Sequence, residues 1–391
     1  MRILHTADWH LGKTLEGRSR FSEQEQFIDE LVTIVEKERV DAVLIAGDAF
    51  DSVNPPALAE QLFYESLARL SDYGKRPVIV IAGNHDHPDR LSAAATLAAK
   101  HSITLLGLPT TDVQAIYVPS CDETLMLAAL PYPSESRLAE LLSSENDERL
   151  LRERYDEKVR GIFAMMNESF RHDTVNVAMS HLYVAGGATS DSERPIEMGG
   201  AYTVSPESFP SQAQYVALGH LHRPQYVKHA AMPARYSGSP LAYSFSEVGY
   251  SKSVTIVDVR PKEQAIISEI PLSCGRPLVK WKATEGIAQV YRWIEEGKDR
   301  NAWIDLEIDV EHSLPIEEIH RLRKLYDGFV NIRPNYLTKE EIKTEARSNV
   351  PIETLFERFY ERQTGGAKPT AELVQLFLEL LVDEDEDGDE E

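Results

Sequence analysis

Cysteine is nearly absent from this sequence: Cys121 and Cys274 are its only two, far apart and outside any metal-finger spacing. A thiolate metal site and a disulfide-stapled fold are thereby excluded, and two reduced, partly buried thiols fit a reducing compartment. Long apolar runs are missing as well, so no stretch is long enough to cross a bilayer. Residues 1–6 lead straight into Asp8 and His10, with no leader-like pattern before them. These absences make the cytoplasm the expected compartment. A P-loop pattern is also lacking, so ATP hydrolysis is not expected of this chain. Basic charge is in short supply: 41 Lys and Arg face 64 Asp and Glu, a net charge of -23. Eight of the acidic residues fall in the nine positions 383–391, and removing those eight from -23 leaves -15. A terminal acidic run reads as a solvated, disordered tail. The remaining acidity argues against an autonomous nucleic-acid binder, whose affinity rests on Lys and Arg neutralising phosphates.

What the 391 residues do hold is the balance of a soluble globular enzyme, 42% hydrophobic and 27% charged, with room for two or three domains. Five apolar, mostly β-branched runs, at 2–6, 41–46, 77–82, 174–179 and 214–218, read as buried strands. Phe27, Leu31, Ile34 and Val35 keep helical spacing between the first two runs, and Leu58, Leu62, Leu67 and Leu70 do so less strictly after the second. This alternation predicts an α/β layered domain. Residues 138–170 read as a charged, amphipathic helical insertion, and 253–259 and 264–270 as further strands.

A second unit starts near 274–277, where strand, helix, strand, helix, strand patterns follow over about sixty residues. Its Trp281, Trp293 and Trp303 fit the core of a small module better than a stacking platform for bases. A polar stretch at 338–349 precedes two apolar stripes: Ile352, Leu355, Phe356, Phe359 and Tyr360, then Leu373, Leu376, Phe377, Leu380 and Leu381. Gly365, Gly366 and Pro369 separate them, which predicts a helical hairpin. Such a hairpin either packs on the rest of the chain or docks a partner.

The chemistry sits in the polar residues just after the five strands. These are Asp8-Trp9-His10, Gly47-Asp48-Ala49-Phe50-Asp51, Gly83-Asn84-His85-Asp86, Ser180-His181 and Gly219-His220-Leu221-His222. Ligands in open α/β sheets bind beyond the carboxyl ends of the strands, so five strands sharing one sheet and direction would bring all five motifs to one rim. Asp8, His10, Asp48, Asn84, His181, His220 and His222 then offer carboxylate, amide and imidazole donors without thiolate, a mix suited to Mn²⁺, Fe²⁺ or Zn²⁺. Seven donors exceed the needs of one ion and can hold two if a carboxylate bridges. Two ions about 4 Å apart can clamp a phosphate and activate its attacker. His85 is surplus to that count, which suits a general acid. The histidines outside the motifs default to structural or exposed roles.

Taken in order, the motifs resemble the calcineurin-like metallophosphoesterase superfamily. The longer segments Ala7-Asp8-Trp9-His10-Leu11-Gly12-Lys13, Ala217-Leu218-Gly219-His220-Leu221-His222-Arg223 and Tyr236-Ser237-Gly238-Ser239-Pro240 resemble its SbcD branch. That branch comprises the nuclease subunits of bacterial SbcCD complexes, relatives of the eukaryotic double-strand-break repair nuclease. The resemblance implies a layered β-sandwich flanked by helices over 1–273, a small α/β capping domain over 274–338 that arranges DNA, and a linker with helical hairpin over 339–382. It implies that Asp8, His10 and His222 hold one divalent ion and Asn84, His181 and His220 a second, both most simply Mn²⁺, with Asp48 bridging. His85 would protonate the leaving oxygen after a metal-activated hydroxide attacks, with Asp51 orienting the His85 ring. The implied activity is double-strand exonuclease and single-strand or hairpin endonuclease, in DNA end processing, repair, recombination and replication. The implied partners are DNA, an SbcC-type coiled-coil ATPase held by the hairpin, and a second copy paired through 58–70 and 91–99, within a nucleoid-associated heterotetramer. Two rivals remain: a phosphodiesterase of small molecules with the same metal core, and an adaptor that keeps the fold and only tethers DNA ends.

Overall fold

From the N-terminus the chain forms β1 (Arg2–Thr6), a small β2–β3 ribbon (Thr14–Leu15 and Arg18–Ser19), α1 (Phe21–Lys37), β4 (Ala42–Ala46), α2 (Ala57–Leu70) and β5 (Val78–Ile81). Short helices α3 (Pro88–Ser92) and α4 (Ala95–Ala98) lead to β6 (Ile103–Leu106), β7 (Gln114–Val118) and β8 (Glu123–Leu130). Then come α5 (Tyr155–Asn167), β9 (Val175–His181), β10 (Tyr215–Gly219), β11 (Gln225–Tyr226), β12 (Ala234–Tyr236), β13 (Ser253–Asp258) and β14 (Ile266–Pro271). The computed structural model describes residues 1–134, 136–138, 155–193, 202–310, 314–336, 351–363 and 368–386. Residues 139–154 of the expected insertion, the polar stretch at 338–349 and the end of the acidic run lie outside these residues.

The five motif-bearing strands are buried on both faces, and their alternation sets the layers. Ile3, Ala42, Leu44, Ile79 and Ile81 point inward and meet Leu125, Leu127, Val177, Met179 and Ala217 from a second sheet. Their neighbours Leu4, Val43, Ile45, Val78 and Val80 point outward, where α1 and α2 cover them with Phe27, Leu31, Phe63 and Leu67. On the far side Met126, Ala128, Val216 and Leu218 pack against Val159, Ile162 and Phe163 of α5. The result is helix, sheet, sheet, helix. Both sheets have six strands, in the order β14-β13-β1-β4-β5-β6 and β11-β12-β10-β9-β8-β7.

The five motif-bearing strands therefore do not share one sheet. β1, β4 and β5 run parallel in the first, and β9 and β10 run parallel in the second. Runs that are apolar on both faces carry no mark of which sheet they join. The motifs still converge, because the two sheets close on each other at the strand ends. At Gly47, with φ +90, an added Cβ would lie 2.3 Å from the His181 ring, and at Gly219 it would lie 1.9 Å from the Ala46 carbonyl oxygen. Only glycine permits that approach.

Three further strands, β15 (Leu278–Ala283), β16 (Trp303–Val310) and β17 (Phe329–Tyr336), form a separate sheet with α6 (Ile287–Glu295) and α7 (Ile316–Leu325). Trp281, Ile304, Leu306, Leu322 and Phe329 make its core, and Trp293 packs against that cluster. Trp303 is buried against Leu15, Phe245, Leu278 and Val330. The tryptophans thus fill the core and a seam. Residues 1–335 form one unit, and residues 336–391 a second. In that second unit α8 (Ile352–Gln363) and α9 (Ala371–Glu386) pair through Phe356 and Phe377, stacked at 4.1 Å. Helix α9 runs through Glu386, so the first four residues of the expected tail are helical. No described helix is long and apolar enough to cross a membrane.

A buried ion pair holds the three-stranded module to the sandwich. The Glu23 carboxylate accepts from Arg20 Nε at 2.6 Å and Nη2 at 2.8 Å, from the Trp303 indole at 2.9 Å and from the Arg276 amide at 2.6 Å. Removing one partner of a buried pair strands the other charge. Glu23→Ala is expected to cost about 3–5 kcal/mol, read as a lower urea midpoint, whereas Trp303→Phe, losing one donor, costs about 1 kcal/mol. Equal midpoints for Glu23→Ala and the parent would contradict this account.

Candidate metal centre

Each predicted ligand lies at or just beyond a strand end, and four of the seven sit on strained backbone. Asp8, His10, Asp48 and His220 have φ of 55, 47, 50 and 103. Positive φ in a residue with a Cβ costs of order 1–3 kcal/mol, and here it aims four donors at the junction of the two sheets. The strands also surrender their last hydrogen bonds to one another: Asp8 N donates to Gly47 O and His10 N to Asp48 O, both at 3.0 Å.

The seven donors meet. His10 Nε2 and His222 Nε2 stand 3.0 Å apart, and both lie close to Asp8, with ligand atoms of all three within 4.8 Å of one another. On the other side Asn84 Oδ1 is 2.8 Å from His181 Nε2 and 3.2 Å from His220 Nδ1. Asp48 Oδ2 sits between the two groups, 3.6 Å from His10 Nε2 and 3.4 Å from His181 Nε2. This is the placement a bridging carboxylate needs. Every one of the seven is buried. Asp8 Oδ2 lies buried without a hydrogen-bond partner, a costly state for a carboxylate oxygen that a cation would relieve. The residues fit a pair of divalent ions.

Electrostatics support the same reading. Burial pushes Asp8 up to about 6, with Asp48 adding to the rise. Burial opposes the charge on Asp48, but His181, His85 and His10 outweigh it and hold this carboxyl well below its usual range. Burial likewise opposes charge on His181, yet Asp48 and Asp8 push it up to about 9. Burial drives His10 down to about 3. A carboxylate pair without ions thus recruits a proton onto His181, a place a metal would take.

Asp51 meets the ring nitrogen of His85 through its main chain. His85 Nδ1 lies 2.7 Å from the main-chain oxygen of Asp51, not its carboxylate. That carboxylate instead accepts from Lys13 Nζ at 2.8 Å and stands 3.3 Å from His10 Nδ1. Asp51 thus meets His85 through its backbone, while its carboxylate pairs with Lys13 and only stands beside His10. His10, Asp51 and His85 also form a third cluster of possible ligand atoms.

Further residues complete the site without belonging to the seven. Asp86 is buried and its carboxylate accepts from the amides of Gly83, Phe50 and Ala49 at 2.8, 3.0 and 3.2 Å, tying the second and third motifs together. Burial, then Asp48, pushes Asp86 up to about 6. His222 is held by Ser192 Oγ, 2.6 Å from Nδ1, and its amide donates to Glu193 at 2.8 Å. Asp86 stands in a motif and could have been noticed there. Ser192 and Glu193 carry no sequence signal.

Histidine nitrogens and carboxylates bind metal only when deprotonated, so protons compete with ions. With His181 at about 9 and Asp8 at about 6, Mn²⁺ affinity is expected to climb from pH 6 to pH 9. Calorimetric titration at pH 7 in buffers of different ionisation enthalpy should show net proton release. A proton count of zero would contradict the assignment of His181.

Comparison with known proteins accords with this geometry. Residues 1–224 match the calcineurin-like phosphoesterase family and residues 274–364 the type 5 capsule protein repressor C-terminal domain. The SbcD subunit of the nuclease SbcCD from Bacillus subtilis (strain 168) is 63% identical over 383 residues, 97% of each chain. Its counterpart of the same name from Staphylococcus epidermidis is 30% identical, covering 93% of this chain and 94% of that one. The one from Rhodobacter capsulatus is 36% identical over 72% of each. Agreement on this scale, over a site built for metal, places the chain in the calcineurin-like phosphoesterases, as a member of the SbcD family of nuclease subunits.

Proposed function

We propose that the chain is the nuclease of an ATP-driven complex, cleaving DNA phosphodiesters with two divalent ions, most simply Mn²⁺. The observation that carries this is the meeting of seven donors, with Asp48 between two groups of three. Asp8, His10 and His222 would hold one ion and Asn84, His181 and His220 the other. Bound there, the ions supply Lewis-acid polarisation of the phosphate and an activated water.

The chain's own residues supply orientation and the proton. A carbonyl only accepts, so the Asp51 oxygen fixes the hydrogen of His85 on Nδ1. Nε2 is left to donate to the leaving oxygen when the ring is protonated. The same carbonyl stabilises the imidazolium. Lys13, paired with Asp51, adds positive charge at the rim for the substrate's phosphates.

The net charge of -23 favours DNA binding shared with a partner. The hairpin of α8 and α9 leaves Ile352, Leu355, Phe359 and Leu376 exposed, an apolar stripe suited to the coiled coil of an SbcC-type ATPase. Tyr64, Tyr73 and Leu97 are likewise exposed around a groove of about 430 Å³ beside α2 and α4, and Leu58 is exposed on α2, which supports pairing with a second copy. Such an assembly would work on the chromosome in the cytoplasm.

His85→Asn is expected to keep both ions bound and to lower cleavage about 10²–10⁴-fold, measured on end-labelled duplex and hairpin DNA with Mn²⁺. Normal cleavage by that variant would remove His85 from the acid role. Loss of an ion would assign it as a ligand. Truncation after residue 349 is expected to release the ATPase while sparing hydrolysis of a small chromogenic diester. Rapid turnover of that diester beside no DNA cleavage, with or without the ATPase, would point instead to a small-molecule phosphodiesterase.

A further inference from the structure

A group of buried charges outside the seven donors, Glu193, Glu247 and Lys252, surrounds His222. Its amide donates to Glu193 at 2.8 Å, and its carbonyl accepts from Lys252 Nζ at 2.9 Å and from the Ser239 amide at 3.1 Å. Its ring nitrogen Nδ1 meets Ser192 Oγ at 2.6 Å. Lys252 in turn donates to Ser239 Oγ at 2.8 Å and pairs with Glu247, and the pair is almost wholly buried. Glu247 closes a capping box: its carboxylate accepts from the amides of Tyr243 and Ser244 at 3.0 and 3.1 Å. Ser246 Oγ accepts from the Asp191 amide at 3.1 Å, joining this turn to the strap that carries Ser192 and Glu193.

The same turn faces the three-stranded module. Phe245, two residues before Glu247, packs with Leu278, Trp303 and Val330 of that module and with Leu15. Tyr243 lies beside both His10 and His222, with ring centroids 5.6 and 6.0 Å away, and its hydroxyl donates to Trp9 O. One short segment thus touches the module on one side and a metal donor on the other.

We infer that Glu247 and Lys252 are positioning residues that fix His222, and that Phe245 makes their placement depend on the seating of the 278–330 module. Neither charge reaches the ligand atom. Glu247 Oε1 stops 3.8 Å from His222 Nδ1, beyond a direct hydrogen bond. The pair acts through the main chain, by holding the His222 carbonyl, so that Nε2 keeps its 3.0 Å approach to His10. Outer groups of this kind typically alter metal affinity 10–100-fold. The inference rests on the two-ion reading of the site.

The test is Mn²⁺ titration of the full chain, followed by calorimetry and by the spin-resonance signal of free Mn²⁺, alongside diester turnover. Single changes at Glu247 or Lys252 leave a buried charge unpaired and can fail to fold. The double variant Glu247→Gln, Lys252→Met removes both charges and keeps the volume. It is expected to melt near the parent temperature while binding one of its two ions 10–100-fold more weakly, with kcat falling more than KM rises. Phe245→Ala, which touches no donor, is expected to weaken the same ion at least a few-fold. Parent-like affinity for both ions in a folded double variant would overturn the positioning role. Parent-like affinity in Phe245→Ala would overturn the dependence on the module. A parent chain that binds fewer than two ions would instead sink the two-ion reading itself.

Discussion

Everything at the site depends on two sheets coming closer at their ends than sheets with side chains can. Face-to-face sheets ordinarily stand about 10 Å apart, a gap that side chains fill. At Gly47 and Gly219 there is no Cβ, and the Ala46 carbonyl accepts from His181 Nδ1 at 2.8 Å across the gap. That single contact fixes the His181 ring, leaving Nε2 for Asn84 and Asp48. It also ties β9 to β4, and β10, paired with β9 so that Gly219 lies opposite His181, carries His220 and His222 with it. The Asp8 carboxylate makes the reciprocal tie by accepting from the His220 amide at 2.9 Å. Donors from two separately formed sheets are locked together before any ion arrives.

The cost of this arrangement is concentrated in one place. Four donor residues sit at positive φ, and two carboxylates and four imidazoles share a buried volume. Strain and like charge persist there because the surrounding layers are fully packed apolar strands. A scaffold buried on both faces can hold a poorly solvated centre in a geometry it would not choose alone. Such preorganisation is what electrostatic catalysis of phosphoryl chemistry requires.

Sequence revealed the donors and hid their supports. That Asp8, His10, Asp48, Asn84, His181, His220 and His222 would meet was legible because side chains of donor type recur just after strand ends, and strand ends restrict position. The strand runs, helical hairpin and second α/β unit were legible from periodicity. The division of the strands between two sheets was not, since Ala42–Ala46 and Tyr215–Gly219 are both buried throughout and read alike. Nor did Asp51 declare its part. A residue name does not say whether the carboxylate or the carbonyl is used, and here the carbonyl meets His85 while the carboxylate pairs with Lys13. Glu193, Glu247 and Lys252 were invisible because each matters only through a neighbour distant in sequence.

The carboxylate of Glu23 serves Arg20 from its own segment and Trp303 and Arg276 from another. One oxygen pair therefore reads residues 276 and 303 together, and neither module is self-contained as a unit of inheritance. A graft that exchanges the three-stranded module between relatives must bring an indole and an amide to the same point, or leave α1 with a buried, half-answered charge. Domain shuffling at this seam is restricted by chemistry to partners that already share its lock.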